Sequence, residues 1–91
     1  MESMLDIATS MLYITGMGER LVSHLRVHRS KAVLTQDALA KAVGVSRQTI
    51  NSIEAERYVP STVLALRLSQ ALGTTVEKLF ALPPPSAGGS P

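Results

Sequence analysis

The stretch TQDALAKAVGVSRQTINSIE, residues 35–54, joins two short helical patterns at a single glycine, and that junction limits the fold more than any other feature of the chain. Thr35 offers an N-cap oxygen to a helix over 35–43, and Ser46 offers one to a second helix over 46–55. Between them Gly44 can take the left-handed conformation that turns the chain without a Cβ clash. A tight helix-turn-helix is expected. Ala40 must be small because the second helix crosses there, and Ile50 and Ile53 lie one turn apart to anchor that helix inward. With these two pointing in, Gln48 and Ser52 point roughly the opposite way, with Arg47 and Asn51 beside them. Amides and a guanidinium suit the edges of bases: Arg can donate twice to guanine and Gln can pair twice with adenine, in a major groove wide enough to admit a helix. The plain alternative, a merely solvated helix face, leaves the turn spacing and the amide-rich composition as coincidences.

Similar punctuation continues on both sides of this pair. Residues 19–29 place Leu21, Val22 and Leu25 on one face with Arg20, Arg26 and Arg29 mostly elsewhere, which predicts a first core helix. Pro60-Ser61 stops one segment and caps the next, which runs to Leu72 before Gly73. Thr74 and Glu77 have the spacing of a capping box for a last short helix ending near Leu82. The fold class predicted is all-α, with five core helices over 19–82. Ahead of them Met4, Ile7, Ala8, Met11 and Ile14 recur near a 3.6-residue period, so residues 3–14 form a candidate amphipathic helix within an extension over 1–18. That helix is expected to pack on its own domain or fray, or else to meet a second subunit. The closing PPPSAGGSP, 83–91, has no apolar period and is expected to be a disordered linker or a cloning remnant.

Composition removes several function classes. The chain has 91 residues, enough for one small domain, and no Cys, so disulfides and thiolate metal sites are ruled out and a reducing compartment is expected. Apolar residues make up 45% and aromatics only 3%, which favours helices over a sheet sandwich. The N-terminus begins with acids and its apolar run is broken by Asp6, Thr9 and Ser10, a poor fit to a signal peptide or membrane span; the cytoplasm is the expected location, with no membrane partner. His24 and His28 have a spacing that could share a metal, but no third ligand completes a site. With no nucleophile elbow and no phosphate loop, neither an enzyme nor a cofactor is expected. The formal charge of +2 is unevenly spread: residues 1–18 carry Glu2 and Asp6 and no cation, while 19–58 hold seven cations against Glu19, Asp37, Glu54 and Glu56. Such an excess suits a polyanion. Arg26, Arg29 and Lys31 are expected to be solvated or to make glancing phosphate contacts.

Residues 19–82, most densely LTQDALAKAVGVSRQTINSIEAERYVPS, resemble the helix-turn-helix DNA-binding domain of the phage repressor and Cro family, also called XRE-like. The resemblance implies a five-helix domain that binds double-stranded DNA as a homodimer on a near-palindromic operator, with the helix near 46–55 in the major groove. By the same resemblance Arg47, Gln48 and Ser52 would read bases and Gln36 and Arg57 would hold phosphates; Asn51, on the same helix face, is nominated with the base readers, and Thr35, Ser46, Thr49 and Tyr58 with the phosphate contacts. One departure stands out. The family commonly has glycine in a Glu-x-Gly-Arg/Lys run after the recognition helix, whereas this chain has Glu54-Ala55-Glu56-Arg57. A non-glycine residue in a left-handed turn costs about 1 kcal/mol, and a carboxylate beside phosphate is unfavourable. The function expected is a sequence-specific transcriptional regulator, a repressor. A second reading is a protein-interaction module, antitoxin-like or an adaptor, whose apolar N-terminal helix holds a partner while DNA binding is secondary. The run RYVPSTVLALRLSQALGTTVEKLFAL also resembles the start of longer bacterial regulators, which implies a ligand-binding domain beyond a proline-rich linker.

Overall fold

The computed structural model describes residues 20–84. The chain runs β1 (Val22–Ser23), α1 (Leu25–Lys31), α2 (Gln36–Val43), α3 (Arg47–Glu54), α4 (Thr62–Leu72), α5 (Val76–Leu79) and β2 (Phe80–Ala81). Every helix start but that of α1 is set by a hydroxyl cap, which satisfies backbone donors that no turn of helix can reach. Thr35 Oγ1 accepts from the Ala38 N–H at 3.0 Å, Ser46 Oγ from Thr49 at 3.1 Å, and Ser61 Oγ from Leu64 at 3.1 Å. Gly44 ends α2 at φ 82° and Gly73 ends α4 at φ 64°, both left-handed. The five helices predicted from the sequence are present, and α2, α3 and α4 begin and end within a residue of their predicted bounds.

Two boundaries differ from expectation. The helix predicted over 19–29 begins only at Leu25, because Val22 and Ser23 pair antiparallel with Ala81 and Phe80. The spacing of Leu21, Val22 and Leu25 fits a helix, but a distant strand supplies the better hydrogen bonds. His24 therefore sits at the N-cap of α1 rather than inside it, and its N–H donates to the Leu79 carbonyl at 2.8 Å. At the other end α5 stops at Leu79, short of Leu82, where Phe80 turns extended to enter β2. Thr75 rather than Thr74 caps α5, its Oγ1 accepting from Lys78 at 3.2 Å. The Thr74 N–H instead closes α4 by donating to the Ser69 carbonyl.

The core takes at least one fully buried side chain from every helix: Leu25, Leu39, Ile50 and Ile53, Leu68 and Leu79. Each such burial is worth about 1.5–3 kcal/mol relative to exposure. Ala40, the small residue expected at the crossing of α2 and α3, is buried in the core. Leu79 and Phe80 are also buried, so the late segment keeps only Val63 and Leu66 of α4, with Leu82, as large exposed apolar side chains. No helix among the described residues is long and apolar enough to cross a membrane. The helix expected over 3–14 lies outside the described residues, as does the tail from residue 85.

Candidate nucleic-acid interface

Helix α3 turns Ile50 and Ile53 fully into the core, which leaves Arg47, Gln48 and Asn51 exposed and Ser52 half-buried on its outer side. An open hollow flanks α3 on each side. The first lies against α1 and the start of α2 and includes Arg26, Thr35, Gln36, Arg47, Asn51 and Glu54. The second is lined by Ser46, Gln48, Thr49, Ser52, Arg57 and Tyr58. Every residue that the sequence nominates for DNA contact lines one hollow or the other. Three of the hydroxyls among them are already ordered: Ser46 Oγ lies 2.9 Å from Thr49 Oγ1, and Thr35 and Ser46 each accept a cap hydrogen bond.

Beneath the first hollow lies a charge pair the sequence does not announce. Arg29 donates from Nε and Nη2 to the Glu54 carboxylate, at 2.5 and 3.2 Å, and from Nη1 to the Leu34 carbonyl at 2.7 Å. The two side chains are only 14% and 5% exposed, so Arg29 is not the solvated cation expected from its place in a basic run. Its position on α1 facing the end of α3 explains the difference, and a buried ion pair survives only with such complete hydrogen bonding. Glu54 Oε1 also accepts from Gln36 Nε2 at 3.0 Å, and the same nitrogen donates to Asn51 Oδ1 at 3.3 Å. Arg29 and Glu54 are thus site residues missed in the sequence; with 25 positions between them no helical period links the two.

Glu56 adopts φ 63°, the left-handed turn expected at that position. Its carboxylate accepts the Ser23 N–H at 2.9 Å, which turns the charge onto β1 rather than into either hollow. Asp37 pairs with Lys41 on the surface at 3.3 Å, an interaction worth little in water. The described segment holds all nine Lys and Arg side chains but only four of the seven acids, a surplus of five positive charges. Glu54 is paired with Arg29 and Glu56 is turned onto the Ser23 N–H, so the positive surplus is what an approaching anion meets.

A family model for helix-turn-helix proteins matches residues 29–79. An uncharacterized HTH-type transcriptional regulator of Methanothermobacter thermautotrophicus is 49% identical over 59 residues, covering 64% of this chain and 86% of the relative. Another from Methanocaldococcus jannaschii is 45% identical over 56 residues, 62% of this chain and 85% of its own length. A third, from Bacillus subtilis, is 41% identical over 52 residues, 57% and 79% of the two chains.

Proposed function

Because the chain belongs to the XRE-type helix-turn-helix family of DNA-binding transcriptional regulators, we propose that it is a repressor that reads a near-palindromic operator as a homodimer. The observation that carries this reading is the gathering of the polar residues of α3, the two caps and Arg57 around one exposed helix whose opposite side is anchored by Ile50 and Ile53. Such a helix fits the major groove. Arg47, Gln48, Asn51 and Ser52 then meet base edges. Thr35, Ser46, Thr49, Arg57 and Tyr58 meet phosphates on the two flanks. Both side-chain N–H groups of Gln36 are engaged by Glu54 and Asn51, so its phosphate contact comes from its backbone N–H in the first turn of α2, where the helix dipole favours an anion. A single α3 spans only a few base pairs, and pairing two copies on half-sites about 34 Å apart supplies the missing specificity.

Selection from a random duplex library tests this reading. Arg47→Ala and Gln48→Ala should each cost about 1–3 kcal/mol and relax preference at distinct base positions. Arg57→Ala should weaken all sequences alike and lower the salt slope by about 1. Unchanged preferences in Arg47→Ala would overturn the direct-readout assignment.

A further inference from the structure

The hydrogen-bond chain from Arg29 through Glu54 and Gln36 to Asn51 can run in only one polarity. A guanidinium only donates and an ionised carboxylate only accepts. Arg29 grips both oxygens of Glu54 and is itself held by the Leu34 carbonyl. The Gln36 atom 3.0 Å from Glu54 Oε1 must therefore be the amide nitrogen, since an amide oxygen there would face a second acceptor. That nitrogen has only hydrogens to offer, so the Asn51 atom 3.3 Å away must be Oδ1. A buried ion pair thus sets the orientation of two amides that could otherwise turn by half a rotation. Asn51, exposed on α3 and lining the open hollow beside Arg47, keeps Nδ2 for whatever enters from outside.

Resting on the reading that α3 enters the major groove, we propose that Asn51 selects a keto base edge, guanine O6 or thymine O4, over an amino edge, adenine N6 or cytosine N4, with Gln36 and Glu54 as its positioning residues. A freely turning Asn pairs with adenine through one donor and one acceptor. Here the acceptor faces α2 and the donor leads, so an approaching keto oxygen gains a hydrogen bond while an amino group meets another donor. Gln48 lies in the opposite hollow and outside this chain of bonds.

The test is sequence selection with the wild type, Asn51→Asp and Gln36→Met, each checked for folding by thermal melt. The wild type should favour keto over amino edges on the order of tenfold at one position per half-site. Aspartate has nearly the same shape and offers only acceptors, so Asn51→Asp should reverse the preference at that position and leave the others as they were. Gln36→Met removes the amide that holds Asn51 and should flatten the preference there alone. Each pair carries one keto and one amino edge, and only the swap of donor for acceptor tells which is read. A wild type indifferent to which way round the pair at the Asn51-dependent position lies, or an unaltered preference in Asn51→Asp, overturns the proposal. So does a Gln36→Met chain that binds all sequences more weakly with its preferences intact. A wild type that enriches no sequence at all instead overturns the regulator reading, and this assignment with it.

Discussion

Val33 and Glu56 are the two non-glycine residues with positive φ among the described residues, at 58° and 63°. They differ in what offsets the strain. Glu56 gains a hydrogen bond from the Ser23 N–H, whereas Val33 is 88% exposed and has a branched Cβ in a conformation that branched residues rarely adopt. Its position is imposed by the end of α1, where the Val33 N–H donates to the Ser30 carbonyl and the Leu34 N–H to that of Arg29. The same turn delivers the Leu34 carbonyl to Arg29 Nη1, so the strained residue helps to seat the ion pair under Gln36. Replacing Val33 with glycine should relieve up to about 1 kcal/mol, a left-handed penalty of roughly 1–2 kcal/mol for a branched residue less the roughly 0.4–1 kcal/mol of entropy that glycine adds to the unfolded chain. A rise in melting temperature of up to about 4–8 °C is expected for a domain of this size. A lower melting temperature would show that the valine side chain makes a stabilising contact.

Among the elements, α2 and α3 depend most on each other. Ala40 is buried, and its carbonyl accepts from both Gly44 and Val45, at 2.8 and 3.0 Å, as the chain turns between them. Ala40→Leu would push a larger side chain into that crossing and should destabilise the domain by about 1–3 kcal/mol. DNA affinity should fall only as far as the folded fraction does, because residue 40 faces the core. An unshifted thermal melt would mean that the crossing has room to spare and that the close approach of the two helices is set elsewhere. Strands β1 and β2 are far shorter, yet their pairing joins the start of the described chain to its end, and Glu56, just past α3, accepts from Ser23 of β1.

For the whole molecule, assembly on DNA is the property most open to test. Val63 and Leu66 lie one turn apart on the outer side of α4, 59% and 50% exposed, with Val59 just ahead of them at 61%. On the homodimer reading this is the apolar surface that two copies would share. Leu66→Asp should then shift the chain toward monomer in sedimentation at micromolar concentration and weaken operator binding, with little change in its melt because the side chain leaves no core contact. If that variant remains dimeric, the pairing surface lies elsewhere, and a chain starting at Met17 examines the contribution of the N-terminal extension.

Local chemistry explains how much of this protein is legible without coordinates. Thr35, Gly44, Ser46, Ser61 and Gly73 act on backbone groups within a few residues of themselves, so the bounds of α2, α3 and α4 and the inward turn of Ile50 and Ile53 follow from the sequence. The gathering of the ten nominated residues around α3 follows for the same reason, since six of them lie on α3 or its cap. Partners far apart in the chain leave no such trace. Val22 looks helical until Ala81 lies beside it; Arg29 looks solvated until Glu54 closes on it, 25 positions on; and Glu56 looks only strained until Ser23, 33 positions back, donates to it. The amide polarity of Asn51 depends on Gln36, 15 positions earlier, and on the ion pair beneath it. Side-chain direction along one helix is set by its period, but which donor meets which acceptor between helices is decided only when the core closes and brings them within hydrogen-bond reach.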